Sequence, residues 1–385
     1  MTACMQNHIH TLDWTRWLRP LGLVACLFGS VSLHAQDILI GASLPLSGPN
    51  AAAGQEGLTV AKAAFDSLNA SGGIGGRKVQ LIALDDAFSP TKAAENFKQL
   101  DAQGVVAVFN CWGTASCSAM MPLVNEARLP LVTGIAGGGP MRSAPGRYAF
   151  NMRPTTQDEI GRMVKQMQMI GQDRIAVVYQ DDPFGQSGQV AAKAVLDKAG
   201  LKATLEQAIA RDGSNADSVV SALQNTNANG IIVIASPQAT VVLVKQVRKA
   251  GLVTQIYNLA AQANRKVVAD LGEHTAGVVF TTLVPSPWKS ALPVVRQYQQ
   301  AIEASTGKTD FSYLGLEVFV NAQVLLDGLK QAGPRVSRES LVSALESMGE
   351  RQFGGGVTVK YGPQDRSGSS YVGLTIVNRD GRFLE

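Results

Sequence analysis

VVAVFNCWGTASC, Val105 to Cys117, runs from five apolar residues into a tryptophan, a glycine and small polar residues set between two cysteines. A short run of this kind reads as a buried strand, and the small polar residues behind it as the start of a helix. The unit recurs. DILIGASL, KVQLIAL and PLVTG are further apolar runs, separated by helical patterns such as AAAGQEGLTVAKAAFDSLNA and TKAAENFKQLDAQ. After RYAFNMRP the rhythm restarts as helix EIGRMVKQMQMI, strand RIAVVYQ, helix QVAAKAVLDKAG, strand GIIVIAS, helix ATVVLVKQVRKAG and strand QIYNLA. Alternating strands and helices build parallel sheets from βαβ units. Two such series, before and after about residue 150, predict an α/β chain of two doubly wound parallel-sheet lobes.

The first residues carry an export pattern. Arg16 and Arg19 precede the apolar run Leu21 to Leu33, which ends at HAQD, so a basic region, a short apolar region and a small-residue cleavage site follow in order. A signal peptide over residues 1–35, cut after Ala35, is expected. Leu23-Val24-Ala25-Cys26 resembles a lipoprotein motif, but the apolar stretch between Arg19 and Cys26 is short for an export signal, so that alternative ranks second. No other run is long enough to cross a membrane. Removing the signal takes away His8, His10, His34, Cys4 and Cys26, leaves His274 as the one histidine, and moves the formal charge from +4 to +3 through loss of Arg16, Arg19 and Asp13. That mild balance, without a dense Lys/Arg patch, argues against nucleic acid as a partner.

Ligands of open α/β sheets lie beyond the carboxyl ends of the strands, where helix N-termini present free N–H groups. Five loops qualify: NCWGTASC (Asn110 to Cys117), GIAGGGP (Gly134 to Pro140), YQDDPFGQSG (Tyr179 to Gly188), SPQAT (Ser236 to Thr240) and LAAQANR (Leu259 to Arg265). They are expected to converge on one cleft. With Cys111, Cys117 and His274 as the remaining candidates, a four-ligand zinc set is lacking, and five residues between the cysteines do not make the usual redox motif. The two cysteines form either a disulfide or a pair of small, partly buried thiols. GQSG lacks the second glycine position of a nucleophile elbow. SGGIGGRK, Ser71 to Lys78, follows a helix and precedes a strand, so it reads as a helix cap and turn rather than a phosphate loop. Asp85-Asp86 and Asp181-Asp182 read as solvated acids or caps. Around Thr114 and Ser116 the hydroxyls serve either as helix caps or as donors to an anion; Gly113 permits close backbone approach, and Trp112 is either a core residue or a flat apolar wall. With GIAGGGP beside it, the segment is expected to cradle a small, partly anionic solute, with no cofactor and no catalysis.

GASLPLSGPNAAAGQEGLTVAKAAFDSLNASGGIGGRKVQLIALDDAFSPTKAAENFKQL resembles the opening of the Leu/Ile/Val-binding family of periplasmic solute-binding proteins. The order of SGP, NASGGIGGRK, LDDAFSPTKA and DDPFG extends the likeness over the whole chain beyond residue 35. The resemblance implies a type I periplasmic-binding fold: a first lobe of residues 36–150 with 283–365, a second of 151–282 with 366–385, and three hinge crossovers. These run through RYAFNMRPTT, with Arg153, Thr155 and the adjacent Asp158 as hinge residues, through TTLVPSP, and near residue 365. It further implies a monomeric periplasmic receptor that hands its solute to an ABC permease in the inner membrane. Thr114 matches the family residue that holds the ligand carboxylate, helped by the backbone at Ile135, Ala136 and Gly137; Gly137 stands where a threonine is usual. Phe184 and Pro237 fall at or near aromatic positions, Gln262 is within reach of a ligand hydroxyl or carbonyl, and Ala53 replaces another aromatic. Ala260 aligns with the acid that pairs with the ligand ammonium. The expected solute is therefore a small aromatic or branched organic acid without an α-ammonium, with neutral or branched amino acids or amides as the alternative. A ligand sensor shares the same residues, and a periplasmic hydrolase is the least favoured reading.

Overall fold

The computed structural model describes Thr2 and residues 36–48, 50–143 and 146–384. The expected cleavage after Ala35 and the alternative at Cys26 lie outside the described residues. In chain order, the first series is β1 (Ile38–Leu44), α1 (Ala51–Ala70), β2 (Val79–Asp85), α2 (Pro90–Ala102), β3 (Ala107–Trp112), α3 (Thr114–Glu126), β4 (Leu131–Ile135), α4 (Pro140–Ser143) and β5 (Ala149–Phe150). The second is α5 (Thr156–Met169), β6 (Ile175–Gln180), α6 (Pro183–Lys198), β7 (Leu205–Ile209), α7 (Ala216–Gln224), β8 (Gly230–Ile234), α8 (Pro237–Lys249), β9 (Gln255–Asn258), α9 (Arg265–Leu271) and β10 (Val278–Thr282). The chain closes with α10 (Pro293–Thr306), α11 (Tyr313–Ala332), α12 (Arg338–Glu346), β11 (Gly349–Gly354), β12 (Val357–Tyr361), β13 (Gly368–Ser369), β14 (Gly373–Val377) and β15 (Phe383–Leu384).

The apolar runs become the central strands. Every residue of β3, β4 and β8 is buried, as befits parallel strands covered on both faces, whereas β2 and β7 at the sheet edges are mostly half-buried. The first sheet has the order β2-β1-β3-β4-β5, all parallel. The second repeats that doubly wound order as β7-β6-β8-β9-β10 and then adds β14 and β15 antiparallel at one edge. The chain after β10 departs from the purely parallel expectation: α10 and α11 pack against α1, and β11-β12-β13 form a separate antiparallel sheet. SGGIGGRK lies beyond the last residue of α1 as two turns, with Gly72, Gly73, Gly75 and Gly76 at positive φ.

In each sheet the strand order reverses between the first and third strands of the series, and a ligand crevice opens beyond the carboxyl ends at that point. Three segments link the two sheets, at residues 151–155, 283–292 and 370–372. The third lies a few residues beyond the position near 365 read from the sequence, because Gly368 and Ser369 still pair with β12. The first and third run side by side: Asn151 N donates to Arg366 O at 2.9 Å and Ser369 N to Met152 O at 2.9 Å. Arg153 is 4 % exposed and ion-paired with Glu317 of α11, Nε to Oε1 at 2.9 Å, while burial pushes the Glu317 carboxyl up. Thr155 and Asp158 form a capping box at the start of α5: Asp158 N donates to Thr155 Oγ1 at 3.1 Å and Thr155 N to Asp158 Oδ2 at 2.9 Å.

Candidate functional site

Strands β3 and β4 change direction just before their loops. Asn110 and Thr133, which fall between the Phe109–Val132 and Cys111–Gly134 pairs of the β3–β4 register, both have positive φ (57° and 62°). For a β-branched threonine this is a rare backbone state, of the kind that persists where the surrounding structure enforces it. Asn321 Nδ2 on α11 holds the Asn110 amide oxygen at 2.7 Å, and Thr133 Oγ1 donates to the Val132 carbonyl at 2.6 Å. Beyond the kinks, Trp112 to Ser116 and Ile135 to Gly137 line one cavity of about 140 Å³ between the strand ends of the two sheets.

The two cysteines are joined. Cys111 at the end of β3 and Cys117 in the first turn of α3 form a disulfide, with Cα atoms 5.6 Å apart. A Cβ at Gly134 would lie 3.0 Å from Cys111 Sγ, so this glycine leaves room for the bond. The disulfide ties off a loop whose middle residues, Trp112, Gly113, Thr114, Ala115 and Ser116, all line the cavity. Gly113 is the N-cap of α3 and no side chain caps that helix. The alternative of Thr114 or Ser116 as a cap is therefore set aside: the first N–H groups of α3, with the Thr114 hydroxyl, remain open to an anion. The Trp112 indole packs against Gly57 of α1 and also borders the cavity.

The three glycines after β4 have separate tasks. A Cβ at Gly138 would fall 2.6 Å from Thr114 Oγ1, so Gly138 lets that side chain sit where it does. A Cβ at Gly137 would meet Thr156 Oγ1 at 3.2 Å. The space that a threonine at 137 would occupy is filled by the Thr156 hydroxyl, which also lines the cavity. Gly139 N donates to Ser187 Oγ of α6 at 3.3 Å, which links the two sheets.

Of the expected ligand residues, Trp112, Gly113, Thr114, Ile135, Ala136, Gly137, Phe184, Pro237 and Gln262 line this cavity, with Ala53 at its edge. Ala260 does not; its backbone N–H donates to Glu159 Oε2 at 2.8 Å. Glu159, on the first turn of α5, was not anticipated. It is 2 % exposed, lines the cavity, and uses the same oxygen to accept the Thr281 hydroxyl. Its other oxygen, Oε1, has no donor among the described residues. Gln262 donates its amide to Ala235 O, and its buried Oε1 likewise finds no donor.

Of the aspartates named from sequence, Asp182 alone lines the cavity. Asp181 and Asp158 are exposed and do not line the cavity, and Asp182 caps α6 by accepting Gly185 N at 3.0 Å. Asp85 accepts Leu46 N, Ser47 N and Ala87 N, and a hydrogen bond from the Ser47 hydroxyl draws its pKa down; Asp86 is held by Ser43 at 2.9 Å, and burial pushes its pKa up. Both acids shape the loops after β1 and β2. His274 lies on a 3₁₀ turn away from the cavity.

The family model for periplasmic binding proteins matches residues 37–382. The chain is 24 % identical to Leu/Ile/Val-binding protein homolog 7 of Brucella melitensis over 324 residues, 80 % of each chain. It superposes on a possible leucine/isoleucine/valine-binding protein from Rhodopirellula baltica with a TM-score of 0.86 at 24 % identity, covering 92 % of this chain and 98 % of the other. A substrate-binding periplasmic protein from Ralstonia solanacearum is 31 % identical with a TM-score of 0.83, covering 90 % and 99 %. With two doubly wound lobes, three crossovers and a family match over nearly its whole described length, the chain belongs to the periplasmic binding proteins, a family of extracytoplasmic solute receptors.

Proposed function

We propose that the protein is the solute receptor of an ABC importer of the branched-chain-amino-acid type, and that its ligand is a small α-amino carboxylate held between the two lobes. One observation carries the ligand class: the Glu159 carboxylate, on a residue 2 % exposed, lines the cavity with Oε1 unpaired among the described residues, and the buried Gln262 Oε1 beside it has no donor. An organic acid without an amino group, the solute favoured by the sequence, leaves the buried Gln262 Oε1 unsatisfied, at a cost of about 1–3 kcal/mol, and gives the Glu159 carboxylate no counter-charge. A ligand ammonium satisfies them, and the carboxylate of Glu159 supplies the charge that Ala260 lacks. The carboxylate end of the ligand then falls to Thr114, the open N–H groups of α3 and the Thr156 hydroxyl. Trp112, Ile135, Phe184 and Pro237 pack on the carbon skeleton. Residues 151–155, 283–292 and 370–372 serve as the hinge, with Arg153 fixing the first crossover to α11 and the Thr155–Asp158 box starting α5. Delivery to an inner-membrane permease follows from this class, with the receptor acting as a monomer.

Calorimetry with leucine and its 2-keto acid tests the reading. Leucine is expected to bind more tightly. Glu159→Gln should abolish that preference, because truncating one partner of a buried charged pair costs roughly 2–5 kcal/mol. Tighter binding of the keto acid by the unaltered protein would return the assignment to organic acids.

A further inference from the structure

Four ionisable side chains line the cavity, and three have assigned partners. Arg153 is paired with Glu317, Asp182 caps α6 and also accepts the Gln180 amide, and Glu159 bonds Ala260 N and Thr281 while facing the ligand amine in the reading above. The fourth, Arg211, has no carboxylate partner among the described residues. Its neighbour Asp212 is turned to Ser214 N at 2.9 Å.

Arg211 is nonetheless held in place. It follows β7, an edge strand of the second sheet, and its guanidinium carbon lies 4.9 Å from the ring centre of Phe88, which follows β2, an edge strand of the first. Ser236 Oγ donates to the Arg211 carbonyl at 2.8 Å. Phe88 is fixed in turn. Ala87 and Phe88 both have positive φ (47° and 60°), secured by Ala87 N to Asp85 Oδ1 and Phe88 N to Asp86 Oδ1, each at 2.8 Å. The ring is so close to Gly113 that a Cβ there would lie 2.6 Å from it. The contact with the ring uses no N–H group, and no hydrogen bond among the described residues engages the guanidinium, so its donors are free for a carboxylate.

We propose that Arg211, stacked on Phe88 at the rim of the cavity, receives a second anionic group at the distal end of the ligand, so that the preferred solutes are dicarboxylates. The proposal rests on the same carboxylate cradle at α3 and gives the position beyond the apolar walls to a side-chain carboxylate. A zwitterionic ligand balances its own charge between the cradle and Glu159; a side-chain carboxylate adds the counter-charge to Arg211.

The test is calorimetry with four probes, L-glutamate, L-glutamine, 2-oxoglutarate and 2-oxohexanoate, on the unaltered protein and on Arg211→Gln. Because Arg211 is exposed, the pair is partly screened, and a preference of roughly five- to tenfold is expected for glutamate over glutamine and for 2-oxoglutarate over 2-oxohexanoate. Arg211→Gln should erase it while leaving the neutral-tailed probes unchanged. Equal or weaker binding of the diacids overturns the proposal. An equal loss for all probes in the variant also overturns it, making Arg211 a clamp on Phe88 only. The comparison of amino with keto probes reads the Glu159 assignment independently, so failure of one assignment is distinguishable from failure of the other. Absence of binding by all four probes, with leucine bound, overturns the dicarboxylate proposal and leaves the Glu159 assignment to its own test with leucine.

Discussion

Helices from both sheets point into the cavity, and they begin differently. On the second sheet, α6, α8 and α9 each start with a side chain that satisfies their own N–H groups: Asp182 accepts Gly185 N, Ser236 accepts Ala239 N and Asn264 accepts Val267 N. On the first sheet α2 is capped by Ser89, which accepts Lys92 N, but α3 starts at Gly113 with no such cap, and α1 starts at Asn50 without one. A bare helix start retains unsatisfied donors and a partial positive charge, which suits an anion, whereas a capped start has already met that need. In the proposed reading the first lobe offers backbone donors to the part that every carboxylate ligand shares. The second lobe, in the same reading, offers Glu159, Gln262, Phe184 and Arg211, which line the cavity, to the parts that differ between ligands.

The contrast is most exposed at Thr114. Because Thr114 does not cap α3, Thr114→Ala should leave the unfolding free energy nearly unchanged while removing a charge-assisted hydrogen bond to the ligand. That bond is worth about 1.5–3 kcal/mol, so affinity should fall by roughly one to two orders of magnitude. Thr114→Ser should be much milder. Calorimetry alongside urea unfolding separates the two effects, and a variant that loses stability but binds normally would make Thr114 a structural residue.

The next largest effect concerns what stands in for a cap in the first lobe. The Cys111–Cys117 disulfide closes the loop that carries the donors. Replacing both cysteines by alanine should cost roughly 2 kcal/mol of stability from the short closed loop and lower ligand affinity several-fold, as the freed loop must be ordered on binding. Unaltered affinity in the double variant would show that the kinks at Asn110 and Thr133 hold the loop unaided.

Much of this arrangement is written in the sequence. The βα rhythm, the convergence of loops after strands and the glycine-lined cradle follow from apolar runs and from where the small residues fall. Less legible were β7, whose LEQAI mixes polar residues into a half-buried edge strand, and β11 to β13, which are short and antiparallel. The disulfide depends on the turn at Gly113 and the space at Gly134, neither of which the five-residue spacing fixes. Glu159 does not follow a strand, so the rule that places ligands beyond strand ends does not reach it, yet the sequence carries a signal for it. Thr156, Glu159, Ile160, Met163, Val164 and Met167 form one buried helix face. A carboxylate on such a face is costly unless something meets it, and that pattern marks both Thr156 and Glu159. In the proposed reading these two residues from one helical turn take the places of the hydroxyl absent at Gly137 and the acid absent at Ala260.

The smallest expected effect sharpens the contrast from the other lobe. Ser236 lines the same cavity as Thr114 and also carries a hydroxyl at a helix start, so a reading by position alone gives the two residues one role. Their hydrogen bonds do not. Ser236 Oγ accepts Ala239 N at 3.2 Å and donates to Arg211 O at 2.8 Å, so its donor and its cap position are both in use before any ligand arrives. Ser236→Ala should therefore cost about 1 kcal/mol of unfolding free energy, the usual worth of an N-cap. Its affinity for leucine, which has no second carboxylate for Arg211, should change by less than about twofold, within the scatter expected for a residue that contributes no ligand bond. Urea unfolding and calorimetry on the single variant give both numbers. A tenfold loss of leucine affinity with unaltered stability would make Ser236 a ligand donor, and the division between a bare first lobe that binds the common carboxylate and a capped second lobe that reads the remainder would fail.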